Sequence, residues 1–150
     1  MVSLGSFHDQ LEAGALRQIR ADIAQLGEVA RRKALRRQAE LLAKTRVYFA
    51  FDSSAIDDES RAIIEAHASY LAANPGIRLT LEGHCDERGT REYNLALGQR
   101  RANAARDVLV ANGVSGARVS TISYGKDRPT ALGSSEDAWA QNRRAVTVVR

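Results

Sequence analysis

Short stretches of alternating apolar residues take turns with longer helical stretches across residues 46–150, and this alternation most constrains the fold. Val47, Phe49 and Phe51 alternate with Tyr48 and Ala50, the pattern of a half-buried strand. Asp52-Ser53-Ser54 breaks it. Asp57, Asp58 and Glu59 suit the first turn of a helix, where the peptide dipoles favour anions. Ile64, Ala68 and Leu71 mark the buried face of that helix, and Asn74-Pro75-Gly76 ends it. Leu79 and Leu81 alternate with Arg78, Thr80 and Glu82 in a second strand. A second helix is expected from about Tyr93 to Asn112, closed by Gly113, and a third strand over Val119–Tyr124. Gly125–Ser135 reads as loop, Glu136–Gln141 as a short helix, and Ala145–Val149 as a last strand at the sheet edge. The order is βαβαβ plus an edge, with right-handed crossovers. It predicts an α/β (α+β) two-layer sandwich with helices on one face of the sheet and the other face partly open.

Residues 1–45 have a different texture. From Phe7 to Lys44 there is no proline and only Gly14 and Gly27 interrupt a stretch rich in Ala, Leu, Arg and Gln, all good helix formers. Leu16, Ile19, Ile23 and Leu26 fall at helical spacing, so an amphipathic helix is expected. The stripe then meets Lys33 and Arg37, which does not support a long coiled coil. The segment reads as a helix that packs on the domain or links it to something upstream; a membrane-surface or nucleic-acid role for its arginines is the alternative. The expected organisation is a basic helical segment or linker over 1–45 and one domain over 46–150.

The charge distribution agrees. Of 22 Lys/Arg and 18 Asp/Glu, residues 1–46 hold nine basic and five acidic, which leaves 13 of each in the remainder. The excess of +4 therefore lies in the N-terminal segment. A nucleic-acid binder carries its basic patch on the folded module, so no nucleic acid is expected here. The single cysteine, Cys85, excludes an internal disulfide. No apolar run approaches the ~18 residues of a membrane span. Met-Val-Ser-Leu-Gly lacks the basic start and apolar stretch of a signal peptide, so membrane attachment is expected only through an anchor absent from this sequence.

The junction between the second strand and the second helix, Gly83–Ala102, carries seven charged residues around a Gly-Thr turn. On a helix with 3.6 residues per turn, Asn94, Leu97, Arg101, Ala105 and Val108 share one stripe, while Arg100 points away. Arg101 thus faces the buried side, where an unpaired guanidinium is costly. Asp86 and Glu87 are its nearest candidate partners, and Asp52 shares their rim if the first two strands are neighbours. Two readings stand side by side. In one, Asp86 and Arg101 neutralise each other with no ligand. In the other, Arg101 forks a carboxylate, Asp86 accepts an ammonium, and the turn at Gly89 aims backbone N–H groups at the anion: a site for a zwitterion.

Asp-Glu-Arg-Gly-Thr, then Glu-Tyr-Asn, then Leu-Gly-Gln-Arg-Arg-Ala closely resembles the OmpA-like peptidoglycan-binding domain. Gly-His-Cys-Asp-Glu-Arg-Gly-Thr is similar to its peptidoglycan-associated lipoprotein branch from Gram-negative outer membranes. The resemblance runs from about Val47 to Arg150 and includes Phe-Ala-Phe-Asp, Ser-Tyr-Gly-Lys and Gln-Asn-Arg-Arg-Ala-Val. It implies a mixed sheet, and non-covalent binding of the meso-diaminopimelate residue of the peptidoglycan stem peptide, with no cofactor. By motif, Asp86 and Arg101 would hold the charged end of that residue, Asn94 would assist and Asp52 would line the pocket, with Thr90 and Tyr93 as further candidates. It also implies a periplasmic setting, tethering of outer membrane to cell wall, and for the lipoprotein branch a partner, TolB, of the Tol system. The basic N-terminal helix is not part of this motif set.

The remaining chemistry-bearing residues favour no catalyst. Adjacent strand residues face opposite ways, which argues against a Cys85–His84 pair and makes Cys85 a small buried filler. His8, His67 and His84 have no metal-site spacing, and His67 reads as a surface residue on a helix flank. Trp139 reads as an anchor for the short helix, and Arg143 and Arg144 as charges ahead of the last strand. The expected protein is a binding module and not an enzyme; a protein-docking module with little or no wall binding is the alternative. On this reading, removing Asp86 or Arg101 abolishes binding and leaves the fold.

Overall fold

The computed structural model describes the backbone of residues 4–150 and the side chains of residues 13–150, so His8 lies outside the described side chains. The chain forms two compact units, Met1–Ala39 and Glu40–Arg150. Helix α1 (Leu4–Ala43) supplies the first. Its expected apolar stripe is present and faces solvent, with Ile19 52% and Leu26 68% exposed.

The second unit has the predicted order: β1 (Arg46–Tyr48), α2 (Asp58–Ala73), β2 (Leu79–His84), α3 (Arg91–Ala111), β3 (Val119–Gly125), α4 (Glu136–Asn142) and β4 (Arg144–Val149). Helix α2 begins where the acidic triplet predicts. Asp57 is its cap, accepting from the Ser60 amide at 2.7 Å, with Asp58 and Glu59 in the first turn. Ile63, Ile64, Ala68 and Leu71 bury its apolar side. On α3 the stripe of Asn94, Leu97, Arg101, Ala105 and Val108 is buried as helical geometry requires. These faces cover Val47, Leu79, Leu81, Val119 and Ala145 of the sheet in one core.

Helix α3 lies unusually close to the sheet because two glycines face each other. A Cβ on Gly83 of β2 would fall 1.7 Å from the Gly98 carbonyl oxygen of α3, and one on Gly98 would fall 2.2 Å from the Ser123 hydroxyl. No side chain fits either position.

The strand order is β1-β4-β2-β3, which corrects two expectations. β4 is an interior strand, antiparallel to β1 on one side and to β2 on the other, because it meets hydrogen-bonding partners on both sides. The first two strands are therefore not neighbours. Since β4 opposes both, β1 and β2 still run the same way, and their C-terminal ends lie at the same end of the sheet. β1 is also shorter than its alternation predicts. Phe49 still donates to the Arg143 carbonyl at 2.9 Å, but the Ala50 carbonyl then accepts from Ser53 and the chain turns through Asp52 at φ 52°. A short edge strand offers little template for unwanted pairing.

His67 is the other correction. It is buried, with Nε2 bonded to the Lys44 carbonyl at 2.8 Å, because its flank of α2 meets the chain entering β1. Burial pushes its pKa below the usual range, against the pull of that carbonyl.

Candidate ligand-binding site

The chain leaving β1 and the chain leaving β2 meet the start of α3 around a cleft of ≈ 180 Å³. Asp52, Asp86, Tyr93, Asn94 and Arg101 line it, joined by Phe51, Arg88 and Leu97, which sequence reasoning had not placed there. Thr90 does not line it. Its hydroxyl accepts from the Tyr93 amide at 3.1 Å and caps α3.

Gly89, at φ 95°, lets the β2–α3 loop reverse tightly before the cap. Buried Asn94 braces that loop: its side-chain amide donates to the Arg88 carbonyl at 2.8 Å and to the Thr90 carbonyl at 3.0 Å. Both of its N–H groups are thus committed to the protein, and its oxygen takes no part in these bonds. From the β3 side, Lys126 donates to the Glu87 carbonyl at 3.2 Å and the Gly89 carbonyl at 2.6 Å, so the Ser-Tyr-Gly-Lys stretch supports the same loop. Across the cleft, the Tyr93 hydroxyl donates to Asp52, tying α3 to the β1–α2 turn.

Arg101 is 1% exposed and does not pair with Asp86. Its guanidinium donates to three backbone carbonyls: Ser53 at 2.9 Å, His84 at 2.9 Å and Ala50 at 3.1 Å. The internal Asp86–Arg101 ion pair, one of the two readings of the sequence, is therefore absent: the guanidinium donates to carbonyls from both strand ends instead. Three of five N–H groups are used; the remaining two, one on each terminal nitrogen, are left for a ligand or the adjacent Cys85 sulfur. Burial lowers the pKa of Arg101, while the neighbouring Cys85 and Asp86 oppose that shift. The positive charge is held at the cleft floor with few competing protein anions.

Asp86 pairs instead with Arg88, at 2.8 Å from Nη2 and 3.2 Å from Nε, and accepts the Arg88 amide at 3.0 Å. Burial of Asp86 works to raise its pKa, but these bonds outweigh it and hold the carboxyl below the usual range. The Asp-x-Arg spacing was the available signal: an aspartate accepting the amide two residues on is a common turn. Arg88 is sandwiched, with Phe51 and Trp139 each 4.0 Å from its guanidinium carbon. Trp139 does anchor α4: its indole N–H donates to Glu87 at 3.0 Å. Phe51, expected as the inward end of a strand, is instead 59% exposed because the chain has already turned.

Arg143 and Arg144 are more than charges ahead of a strand, since both are buried. Arg143 donates to the Phe49 carbonyl at 2.9 Å and Glu136 at 2.7 Å, and lies 3.5 Å from Asp86. Cys85 is the buried filler expected, donating to the Asn94 carbonyl at 3.2 Å. Burial raises the pKa of its thiol despite the nearby Arg101 charge, which keeps it protonated and a poor nucleophile. Among the described residues, no group of three or more His, Cys, Asp or Glu is arranged to hold a metal. Also among these residues, no helix is long and apolar enough to cross a membrane.

A cleft at the strand ends with a buried guanidinium and a carboxylate, on a β1-β4-β2-β3 sheet covered by two helices, fits one family. Residues 48–143 match the OmpA family, and the chain belongs to it. Within that family it is similar to peptidoglycan-associated lipoproteins. It is 54% identical over 104 residues to that of Rhizobium meliloti, covering 69% of this chain and 59% of the relative. It is 51% identical over 111 residues to that of Pseudomonas putida, covering 74% and 66%. The chain thus spans about three-fifths of the first relative's length. The crystal structure of the peptidoglycan-associated lipoprotein from Burkholderia pseudomallei superimposes with a TM-score of 0.72 at 49% identity, covering 73% of this chain and 93% of that one. The C-terminal domain of Helicobacter pylori MotB shares the fold at 23% identity with a TM-score of 0.66, over 72% of this chain and 85% of that one.

Proposed function

We propose that the domain binds cell-wall peptidoglycan non-covalently, gripping the meso-diaminopimelate residue of the stem peptide by its zwitterionic end. The observation that carries this reading is the floor of the cleft, where Arg101 and Asp86 line one pocket without neutralising each other. Arg101 receives the ligand carboxylate and Asp86 its ammonium, as charge-assisted hydrogen bonds in a partly desolvated site. Asp52 and Tyr93 form one wall, and the Asn94 oxygen offers a further acceptor. Thr90 acts through the loop it caps. The names of the relatives support the wall as the target.

The same relatives support a place on the periplasmic side of a Gram-negative outer membrane, as a Pal-like component of the Tol-Pal system that ties membrane to wall. A TolB-type partner would meet the rim of the cleft, where Phe51 is an exposed apolar residue. The protein-docking alternative makes that rim the main surface.

Co-sedimentation with purified sacculi tests the reading. The wild-type chain should pellet with sacculi and release no soluble fragments, and Asp86→Asn should stay in the supernatant. Equal pelleting of the variant would reject the site; fragment release would reopen an enzymatic reading.

A further inference from the structure

Both oxygens of Asp86 already have a partner. Arg88 supplies three hydrogen bonds to its two oxygens, at 2.8, 3.0 and 3.2 Å, and Arg143 Nη1 stands 3.5 Å from Oδ2. The Arg88 side chain is not a loose surface group, since its guanidinium carbon sits 4.0 Å from both the Phe51 and Trp139 rings. Trp139 is itself fixed by its bond to Glu87 at 3.0 Å. A cation of the chain's own therefore occupies the position that an incoming ammonium needs.

We propose that Arg88 acts as a displaceable internal cation that limits affinity for the zwitterion. It guards Asp86, and only a ligand that presents an ammonium can take its place. This rests on the reading of the cleft as a zwitterion site. Its physical content is a competition. A carboxylate bound to that aspartate gains nothing from a second cation until the first leaves, so apparent affinity is scaled by the fraction of molecules in which Arg88 has left. A ligand lacking the ammonium never engages in that competition and binds through Arg101 alone. The two aromatic faces hold the guanidinium in its closed position and so set how rarely it leaves. Arg88 thus lowers affinity for the zwitterion and, by occupying Asp86, keeps the empty site from presenting a buried carboxylate without a partner.

The test uses calorimetric titration of the full chain with two probes. One is L-Ala-γ-D-Glu-meso-diaminopimelate; the other is the same tripeptide with its side-chain amine acetylated. Arg88→Met keeps an unbranched apolar stem between the aromatic rings and removes the charge. Arg88→Gln is the second variant, in case the first misfolds. Either should bind the free-amine probe about tenfold more tightly than wild type, as loss of one charge-assisted pair predicts, and the acetylated probe unchanged. Unchanged or weaker binding of the free-amine probe, with wild type still binding it and Asp86→Asn losing it, would overturn the guard role and leave the cleft reading intact. No binding by wild type would overturn both.

Discussion

Replacing Arg101 by alanine should weaken the fold of this domain as well as remove a ligand contact. The guanidinium is 1% exposed and joins three carbonyls, those of Ala50 and Ser53 after β1 and of His84 at the end of β2. Alanine removes one donor from each, although the Ala50 carbonyl keeps the Ser53 amide at 3.3 Å. An abandoned buried acceptor costs about 1–3 kcal/mol, so the gross loss lies between about 3 and 9 kcal/mol. Two terms reduce it. Water can enter from the cleft and meet some of the carbonyls. The guanidinium was also held at a desolvation cost, as its lowered pKa indicates. The lower end, about 3 kcal/mol, is the expected net destabilisation. Against a typical total of about 5–15 kcal/mol that is a large share. It corresponds to a fall in Tm of roughly 10–15 °C for a domain of this size. Urea unfolding followed by far-ultraviolet circular dichroism reads it, with the slope unchanged and the midpoint lowered. A loss below about 1 kcal/mol would mean that the three bonds are replaceable by solvent, and would refute the claim that Arg101 ties the strand ends together. Loss of binding in an Arg101 variant is thus informative only where that variant is folded, and Asp86→Asn is the cleaner probe.

Further outcomes follow from the same geometry. Gly83→Ala should cost more than about 2 kcal/mol, because its Cβ would meet a backbone oxygen of α3 that no rotamer can move, and thermal unfolding measures it. Stability should also fall as pH drops below about 6.5, the ordinary histidine value. His67 and His84 both have lowered pKa values, chiefly from burial, so the unfolded chain takes up protons that the folded one refuses. That penalty starts near the unfolded value and grows until the folded pKa is reached. Denaturant midpoints at pH 7 and pH 5 should differ less in His67→Gln than in wild type; an equal difference would deny His67 its part. Below about pH 4 the sign is the same for another reason. Asp57, Asp86 and Glu136 have lowered pKa values in the fold, so the stability they give above the unfolded carboxyl range is lost as pH falls through their folded values.

The periodic parts of the fold were legible in the sequence. Helical spacing alone put Arg101 on the buried stripe of α3, and acidic residues at 57–59 placed the start of α2. Strand order was not legible, because an alternating stretch such as Ala145–Val149 looks the same at an edge and between two neighbours. The end of β1 was missed for a similar reason. Phe51 continues an apolar alternation, and only the tertiary pull of Arg88 and the turn at Asp52 takes it out of the strand. At the site, composition identified the charged groups but not their partners. Arg101 and Asp86 are opposite charges of one loop and helix, yet one is satisfied by carbonyls and the other by Arg88. Partner choice among several nearby charges depends on ångström-scale distances that spacing in sequence does not carry. His67 was misjudged because burial of a helix flank depends on the chain that crosses it, here the Lys44 carbonyl.

The central claim is that the cleft recognises a zwitterion, and discrimination between stem peptides tests it most directly. Isotope-edited NMR would follow the chain during titration with a meso-diaminopimelate muropeptide and, separately, with its lysine counterpart, which keeps the ammonium and lacks the carboxylate. The account predicts binding of the first alone, with shifts centred on Asp86, Asn94 and Arg101. Equal binding of both, or shifts away from the cleft, would contradict it.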